Sequence, residues 1–221
     1  MGYSPISSQV RGKLIAIEGI DGSGKSTQAK LLADKLSALE TFEPGASQVG
    51  QMIRSIVLSR VDDGAGRLSD RTEALLMVAD RAQHVLEVIE PALRSGRWVV
   101  TDRFSGSTIA YQGFGRGLDV EFLRELSIWS SLGLEVDLNI LIDVPVETAL
   151  ERRARRGTQV TGEHIDRIEI ENVEFQDRVR NGFLSQSASS DQPWVVIDGT
   201  FSVEDVSNKV YEAVASRFGL D

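Results

Sequence analysis

The feature that most constrains the fold of this chain is a glycine-rich run, GIDGSGKS, at residues 19–26. It follows a short apolar segment, Leu14–Glu18, and precedes a helical pattern that begins at Lys25. Glycines at this spacing let backbone N–H groups turn inward around a phosphate, and the N-terminus of the following helix adds the positive end of its dipole. The run therefore predicts a phosphate-binding loop between a strand and a helix.

Single residues of this loop have separate predicted tasks. Lys25 can reach the β- and γ-phosphates of a nucleotide, and the hydroxyl of Ser26 can ligate Mg²⁺. The ATP-binding residues predicted from the loop are Gly19, Ile20, Asp21, Gly22, Ser23, Gly24, Lys25, Ser26 and Thr27. The loop alone does not separate GTPases, motor ATPases and small-molecule kinases. A guanine-specific N-K-x-D motif does not occur in the sequence, and a large ATPase needs a longer chain.

Apolar segments and helical patterns alternate along the chain. Buried strands are predicted at Leu14–Glu18, 98–101, Leu138–Asp143 and Trp194–Asp198, because these runs are rich in Ile, Val and Leu without clean alternation. A further strand near residues 40–42 is expected to be very short or distorted. Helices are predicted at residues 25–39, 72–93 with an interruption at Pro91, 120–132, 146–156 and 203–218, and loops at 62–70 and 185–192. This order predicts an α/β fold with a doubly wound parallel sheet flanked by helices.

Composition excludes several classes of function. The 221 residues carry a formal net charge of −9, and binding to nucleic acid needs a basic face, so no nucleic-acid partner is predicted. The absence of cysteine excludes disulfides and thiolate nucleophiles, and two histidines leave little room for a histidine metal site. The N-terminus lacks the apolar core of a signal peptide, and no apolar run approaches the length of a membrane span, so a cytoplasmic location without a membrane partner is predicted. We expect a loose arm at residues 1–12 and one domain at 13–221.

A second informative run, TDRF, follows a predicted strand at residues 101–104 and continues to AYQGFGRG at 110–117. Arg103, placed at a strand end beside a phosphate loop, can clamp a transferring phosphoryl group with its planar guanidinium. Asp102 can hold Mg²⁺ through water. The alternative for this run alone is a surface salt bridge.

With three other segments, these motifs resemble the thymidylate kinase family over nearly the whole chain. The matching segments are GIDGSGKSTQ at 19–28, EPG at 43–45, ADRAQHV at 79–85, DRF with AYQGFGRG, and ARRG followed by DRIE within 154–169. The resemblance implies the P-loop nucleoside monophosphate kinase architecture with a short lid at about 152–169. It implies transfer of the γ-phosphoryl group of ATP to dTMP in dTTP synthesis, with Mg²⁺ as cofactor. It also implies a homodimer that involves the helix at 72–93.

Roles at the acceptor side follow from the same resemblance. The implied dTMP-binding residues are Asp21, Arg54, Met77, Arg81, Arg103, Ser107, Thr108, Tyr111 and Gln112. Arg54 and Arg103 are expected to grip the dTMP phosphate, and Asp21 to contact the 3′-hydroxyl. Arg81 is expected to read the thymine carbonyl, while Tyr111 crowds the 2′ position and favours deoxyribose.

Two residues depart from the family pattern. Met77 stands where many members have a phenylalanine that stacks on thymine, so another ring has to supply the stacking or the stacking is weaker. Phe42 stands where many bacterial members have an arginine before Glu-Pro-Gly, which removes one positive charge from the acceptor side. Both departures bear on affinity for dTMP more than on the reaction.

Arginines end the predicted helix at 146–156. Arg152 and Arg156 are four residues apart and share a helix face, and a solvated basic helix end is the alternative reading. Family members with a glycine at the position of Gly22 carry the catalytic arginine in the lid, so Arg156, and after it Arg152, are the implied ATP-binding lid residues. Asp166 and Glu169 are expected to orient these arginines or the magnesium shell. The implied catalytic residues are Lys25, Arg103, Arg156 and Asp21.

The acceptor in this reaction is already nearly a phosphate dianion, since the second pKa of a phosphate monoester is about 6, and it needs no general base. Catalysis then rests on alignment and charge stabilisation. The nearest alternative is another deoxynucleotide kinase or a deoxynucleoside kinase, which needs a carboxylate base such as Glu18. A non-catalytic nucleotide-binding regulator is the second alternative. It is expected to have lost Lys25 or Arg103, and the sequence retains both.

Overall fold

The structure, a computed structural model, describes residues 10–59, 68–159, 171–189 and 191–220, the side chains of residues 156–159 excepted. Over this part of the chain one sheet contains five parallel strands. They are β1 (Leu14–Glu18), β2 (Leu39–Phe42), β3 (Val99–Asp102), β4 (Leu138–Asp143) and β5 (Trp194–Asp198). Their order is β2-β3-β1-β4-β5, which places β1 at the centre.

Helices connect the strands and cover both faces of the sheet. Two segments are π-helical, the first at Val85–Ile89 and the second at Ile109–Gly115. The α-helices of the described residues are α1 (Lys25–Leu36), α2 (Gln48–Leu58), α3 (Asp70–His84), α4 (Glu90–Arg94), α5 (Ser105–Thr108), α6 (Val120–Ser130), α7 (Val146–Gln159), α8 (Val173–Ser189) and α9 (Val203–Phe218). None of the helices in these ranges has both the length and the apolar character needed to cross a membrane.

The core explains why β1 lacks an alternating pattern. All five of its residues are buried. Ile15 and Ile17 face α1 and α9 and pack in one apolar cluster with Leu32 and Val210. Leu14 and Ala16 face the opposite side, in a cluster with Val85 and Ile89 of the first π-helical segment. Two covered faces confirm the predicted doubly wound arrangement.

The strand predictions agree closely with the structure. The strands predicted at Leu14–Glu18, Leu138–Asp143 and Trp194–Asp198 have these bounds. β3 begins and ends one residue later than the predicted 98–101. The short strand expected near residues 40–42 is β2, which has four residues and pairs with β3.

Several helix predictions need correction. The helix predicted at 25–39 ends at Leu36, because Ser37 adopts a left-handed conformation with φ of +52° and Leu39 already belongs to β2. The helix predicted at 72–93 begins at Asp70 and is not continuous, since Val85–Ile89 is π-helical. The backbone stays helical through Ile89 and Glu90, and Pro91, which has no N–H to donate, follows the π-helical segment at the start of α4. The helix predicted at 120–132 ends at Ser130, and the one at 146–156 extends to Gln159.

The unpredicted helical segments are α2, α5, the second π-helical segment and α8. α2 follows a glycine-containing turn, and Ser47 caps it by accepting the N–H of Gly50. α8 was not predicted, and residues 185–189, predicted as loop, complete it. Its buried face, with Phe175, Val179 and Phe183 at four-residue intervals, is the periodic signal that identifies a helix.

Candidate active site

The loop between β1 and α1 brings backbone N–H groups to the carboxyl edge of the sheet. Gly22 has φ of +94°, and a Cβ there would lie 2.4 Å from the carbonyl oxygen of Ala149, so only glycine fits. Gly24 is the N-cap of α1, and no side chain within the described ranges caps this helix end. Its first N–H groups and the positive dipole end can therefore take an anionic phosphate.

A cavity of about 550 Å³ opens beyond the carboxyl ends of β1, β2 and β3, where doubly wound sheets bind their ligands. It is lined by Asp21, Gly22, Gly24, Lys25, Ser26, Thr27, Phe42, Glu43, Pro44, Arg54, Val57, Leu58, Met77, Asp102, Arg103, Ser107, Tyr111, Gln112, Arg152 and Arg155. Most of the residues predicted for the two nucleotides are thus brought together in one cavity.

Asp21 is the centre of the charged groups in this cavity. Its Oδ1 accepts a hydrogen bond from Lys25 Nζ at 3.0 Å and another from Arg103. Its Oδ2 accepts from the hydroxyl of Tyr111 at 3.0 Å, and Arg103 also donates to that hydroxyl at 3.3 Å. Burial alone would raise the pKa of Asp21, but the charges of Arg103 and Lys25 outweigh it and hold this pKa well below its usual value. The carboxylate is therefore ionised and keeps both cations beside it.

Glu18 stabilises the turn that carries Arg103 through hydrogen bonds with Phe104 and Ser107. It is fully buried, and its Oε1 accepts the N–H groups of Phe104 at 3.0 Å and Ser107 at 3.1 Å. Its Oε2 accepts the Ser107 hydroxyl at 2.6 Å, and that hydroxyl accepts from Arg103 at 3.2 Å. Arg103 itself has φ of +75°, an unfavourable conformation for a residue with a side chain, so the contacts around it have to hold the turn. Burial raises the pKa of Glu18 to about 7.

The acceptor side of the cavity is formed by β2, α2 and α3. Arg54 donates to the carbonyl oxygen of Pro44 at 2.8 Å, and its guanidinium carbon lies 5.8 Å from the centre of the Phe42 ring. Met77 is buried in α3 and lines the cavity with Val57. This side therefore combines the guanidinium of Arg54 with apolar surface, which suits a phosphate attached to a flat apolar base.

The structure places Arg81 and Thr108 behind the cavity wall. Both are fully buried, and neither lines the cavity. Arg81 donates to Glu43 Oε2 from Nε at 3.0 Å and from Nη2 at 2.8 Å, and Nη2 also donates to Thr108 at 2.9 Å. His84 is fully buried in α3, and its Nδ1 lies 3.0 Å from the other Glu43 oxygen. Glu43 fixes the guanidinium of Arg81 in this position, and the contacts of Arg81 and Thr108 with a base stay predictions of the resemblance.

The predicted metal ligands fit Mg²⁺. Asp102 lines the cavity, and its Oδ1 is buried without a hydrogen-bond partner among the described residues. Ser26 exposes its hydroxyl in the first turn of α1. Hard oxygen ligands of this kind suit Mg²⁺, which usually takes few protein ligands and completes its shell with water and phosphate oxygens. In the described ranges, no group of three acidic or histidine side chains forms a metal site of its own.

The arginines of α7 divide between two positions. Arg152 donates to the carbonyl oxygens of Ser23 at 3.1 Å and Gly199 at 2.8 Å, so it joins the phosphate loop to the turn after β5. Arg155 is exposed and lines the cavity, although the sequence did not single it out. The side chain of Arg156, together with Asp166, Glu169 and most of the predicted lid, lies outside the described residues.

Comparisons with known proteins agree with this geometry. The family model of thymidylate kinase matches residues 17–210. The chain belongs to the thymidylate kinase family. It is 44% identical over 214 residues to a thymidylate kinase of Cupriavidus necator, an alignment that covers 94% of this chain and all of the relative. Thymidylate kinases of Desulfovibrio desulfuricans and Pelotomaculum thermopropionicum are also 44% identical, over 87% and 86% of this chain and 90% and 87% of their own.

The cavity also contains residues that were not predicted from the sequence. Glu43 of the Glu-Pro-Gly motif lines the cavity and holds Arg81, yet it was read only as part of a motif. Val57 and Leu58 line the acceptor side and were missed because α2 was missed. A capping Ser47 followed by Ile53 and Val57 on one helix face is the signal that could have found them.

Glu18 generates a prediction about stability. The folded protein keeps a proton on this carboxyl up to about pH 7, whereas the unfolded chain releases it near pH 4.5. The free energy of unfolding therefore falls as pH rises from 4.5 to 7, by on the order of 3 kcal/mol from this group. Glu18→Gln keeps an oxygen for the N–H groups of Phe104 and Ser107 and cannot titrate, so we expect it to fold and to lose this part of the pH dependence.

Urea unfolding at pH 5 and pH 7 measures the effect. The wild-type protein should lose clearly more stability between these values than Glu18→Gln. Asp80, whose pKa burial raises to about 6, titrates in both proteins and cancels in the comparison. Glu121→Gln, at an exposed acidic residue of α6, is the matched control and should follow the wild type. Parallel curves for wild type and Glu18→Gln would contradict the assigned protonation.

Proposed function

We propose that the protein transfers the γ-phosphoryl group of ATP to the phosphate of dTMP, giving dTDP and ADP, with Mg²⁺ as cofactor. The observation that carries this proposal is that Lys25 and Arg103 bind the same oxygen of Asp21 in one cavity. Lys25 belongs to the phosphate loop and Arg103 to the end of β3, so the donor and acceptor sides meet at this carboxylate. The relatives named thymidylate kinase support dTMP as the acceptor.

On the donor side, the N–H groups of the loop and Lys25 hold the β- and γ-phosphates of ATP. On the acceptor side, Arg54 and Arg103 hold the phosphate of dTMP between them. Phe42 and Met77 supply the apolar surface for thymine, and the ring of Phe42 replaces the stacking that Met77 cannot give. Tyr111, fixed by its bonds to Asp21 and Arg103, limits the room beside the sugar and favours deoxyribose.

The chemical step needs no general base. An oxygen of the dTMP phosphate attacks the γ-phosphorus, the bond from this phosphorus to the β–γ bridging oxygen breaks, and the electron pair leaves with ADP. Lys25 and Arg103 are held in place before substrate binds, so they stabilise charge on the transferring group with little reorganisation. Ser26 and Asp102 would hold Mg²⁺, which supplies charge neutralisation on the phosphate oxygens. Arg155 and Arg156 are the lid arginines proposed to reach the transferring group, because Arg152 is engaged by two carbonyl oxygens.

A deoxynucleoside kinase is not favoured. Such an enzyme removes a proton from a sugar hydroxyl, for which Glu18 was the carboxylate considered. Glu18 is fully buried, does not line the cavity, and has both oxygens engaged by Phe104 and Ser107. A regulator without turnover is not favoured either, since Lys25 and Arg103 both lie in the cavity. A cytoplasmic location stays a prediction of the sequence.

The acceptor is tested by ADP release with ATP and Mg²⁺, with dTMP, dUMP, dCMP, dGMP, AMP and thymidine offered in parallel. We expect strong turnover with dTMP, weaker turnover with dUMP, and little with the others. Thymidine is the decisive control, because it lacks the phosphate that Arg54 and Arg103 would bind. Turnover with thymidine above that with dTMP would replace the proposal with a nucleoside kinase, and silence with all six would favour the regulator.

The roles of the two cations are tested by Lys25→Met and Arg103→Ala. Each variant should fold, because Asp21 keeps the hydrogen bond from Tyr111 and one of its two cations. Each should lose about 10²-fold or more in kcat, the usual scale for a group that stabilises transition-state charge. Arg124→Ala, at a partly exposed arginine of α6, is the matched control and should keep wild-type kcat. A near-wild-type kcat in either variant would remove that residue from the mechanism.

We also propose that the protein is a homodimer. Large apolar side chains are exposed on α3, the first π-helical segment and α6, which pack in one layer. They are Leu75, Leu86, Phe122, Ile128 and Trp129. Trp129 is 74% exposed, which is unusual for a tryptophan outside an interface.

Sedimentation at micromolar concentration tests the dimer. Wild type should sediment as a dimer, and Trp129→Glu should sediment as a monomer, because a charge in an apolar interface has no partner. Val203→Glu, at another exposed apolar residue but at the start of α9, is the control and should remain dimeric. A monomeric wild type, or equal behaviour of both variants, would contradict the proposal.

A further inference from the structure

The peptide bond between Pro44 and Gly45 connects a buried carboxyl of α3 to an arginine of the cavity. Its N–H, on Gly45, donates to Asp80 Oδ1 at 2.9 Å. Its carbonyl oxygen, on Pro44, accepts from Nη1 of Arg54 at 2.8 Å. In a planar trans peptide the N–H and the C=O point in opposite directions, so the direction of one fixes the direction of the other. Asp80 therefore determines where the oxygen that holds Arg54 points.

Gly45 makes a fixed partner for this peptide bond necessary. Its φ is +117°, and glycine populates positive and negative φ about equally well, so the peptide plane before it can rotate at little steric cost. Rotation by half a turn would bring the carbonyl oxygen to the Asp80 carboxyl and the N–H to the guanidinium of Arg54. Two acceptors and two donors would then face each other, because a carboxylate only accepts hydrogen bonds and a guanidinium only donates them. Asp80 thus selects one orientation of the plane.

The position of Asp80 is itself defined by close packing. Its side chain is fully buried in α3. A Cβ at Gly50 would lie 2.5 Å from Asp80 Oδ1, so the first turn of α2 packs directly against this carboxyl. Gly50 and Arg54 are four residues apart and share a face of α2. Asp80 therefore contacts both the turn and the helix that place Arg54.

The hydrogen bonding of Asp80 indicates a task other than stability. Its Oδ2 is buried without a hydrogen-bond partner among the described residues, and burial together with the charge of Glu43 raises the pKa of Asp80 to about 6. A buried carboxyl with an unpaired oxygen costs free energy of folding that an apolar side chain would not. The hydrogen bond from Gly45 is what this carboxyl provides in return.

Arg54 depends on the Pro44 carbonyl because it lies on an exposed part of α2. Its side chain passes over Gly45, where a Cβ would lie 2.8 Å from Arg54 Cδ. Its guanidinium carbon is 5.8 Å from the centre of the Phe42 ring, and its Nη1 donates to Pro44. An arginine that is oriented before a ligand binds loses less rotamer entropy in binding, so this hydrogen bond favours a phosphate complex.

We propose that Asp80 is a positioning residue for the acceptor phosphate, which acts through the Pro44–Gly45 peptide bond to hold Arg54 in its binding orientation. The inference rests on the proposed function, because it concerns the phosphate of the same acceptor nucleotide. Asp80 does not line the cavity, so its effect on a ligand passes through the turn and Arg54.

Charge and positioning predict opposite effects of removing this carboxyl. Asp80 is a negative group near an anion site, so loss of its charge alone should strengthen the binding of a phosphate. Loss of its acceptor oxygen should weaken the binding of dTMP, because Arg54 is no longer oriented. Thymidine has no phosphate for Arg54 to bind, so its affinity should not change. The preference for dTMP over thymidine therefore isolates the effect of positioning.

Asp80→Ala removes the acceptor oxygen, and calorimetry at pH 8 measures the dissociation constants of dTMP and thymidine. We expect the preference for dTMP over thymidine to fall by about tenfold, which corresponds to about 1.4 kcal/mol. In turnover, KM for dTMP should rise by a similar factor, while KM for ATP stays constant and kcat changes by less than about threefold. Asp80→Leu, which fills more of the space of the carboxyl, should behave in the same way and serves if Asp80→Ala does not fold.

Three further variants separate positioning from a general loss of structure. Asp80→Asn keeps an oxygen for the Gly45 N–H without the charge, so it should retain the wild-type preference or exceed it. Asp119→Ala is the matched control, because it removes a carboxylate that accepts a backbone N–H, that of Phe122, away from the cavity. In an Arg54→Ala background, Asp80→Ala should change the preference by less than about twofold, since the group through which it acts is gone.

Each outcome bears on the inference. A wild type that binds dTMP no more tightly than thymidine would overturn the proposed function and the inference together. A wild type with this preference, and a folded Asp80→Ala that keeps it, would overturn the inference alone. A loss of preference in Asp80→Asn equal to that in Asp80→Ala would also overturn it, as would the failure of both Asp80→Ala and Asp80→Leu to fold. A preference that falls in Asp80→Ala and is restored in Asp80→Asn would support it.

Discussion

The buried carboxylate of Asp21 is the interaction on which the rest of the site depends. It follows β1 directly, and the parallel pairing of β1 with β3 brings the turn of Arg103 to its side, with Ile17 opposite Asp102. Lys25 comes from the same loop, four residues along the chain. Cations that would repel each other are thus held together by one negative charge, at the place where phosphates have to meet. Because Asp21 holds both cations, they are in position before any ligand binds. The negative charge of a substrate phosphate then takes over part of the role of the Asp21 carboxylate.

Two other buried acidic residues near Asp21, Glu18 and Glu43, fix the positions of arginines through hydrogen bonds. Glu18 fixes the turn that carries Arg103 through Phe104 and Ser107. Glu43 fixes Arg81 from the end of β2, and the charge of Arg81 and the hydrogen bond with His84 lower the pKa of Glu43 against the opposing effect of burial. Buried charges of this kind give little net stability, because their desolvation offsets most of their attraction. What they provide is a single arrangement of the side chains that line the cavity.

The fold was predictable from the sequence to the extent that its signals are local. The strands around β1 are short apolar runs between loop residues, and the phosphate loop is contiguous, so Lys25 and Asp21 could be placed from spacing alone. The π-helical segment at Val85–Ile89 could not, because an apolar helical pattern looks the same whether the hydrogen bonds close over four or five residues. α8 was obscured by its serine-rich end, whose hydroxyl groups bond back to carbonyl oxygens within the helix.

The acceptor side was less predictable for a physical reason. Arg81 and Glu73 lie in α3, and nothing in the sequence distinguishes them from the other arginines and glutamates of the chain. Only the packed structure shows that each is buried against a partner. Residue type and spacing give the charge of a group, but its partner decides whether that charge is offered to a ligand or used within the protein. Arg81, which the resemblance assigns to the base, donates to Glu43 and Thr108 in the structure, and residue type alone does not indicate these partners.

The same distinction explains how an acidic chain holds two anionic nucleotides. The whole protein has a net charge of −9, which on its own repels phosphates. The cavity is different, because Lys25, Arg54, Arg103, Arg152 and Arg155 line it together with the carboxylates of Asp21, Glu43 and Asp102. The negative charge of Glu43 is paired with Arg81, which is buried outside the cavity. The net positive charge that a ligand meets is therefore larger than a count of the lining residues gives. Exposed charges are screened over about 8 Å at physiological salt, so this local surplus, rather than the charge of the chain, is what a bound phosphate experiences.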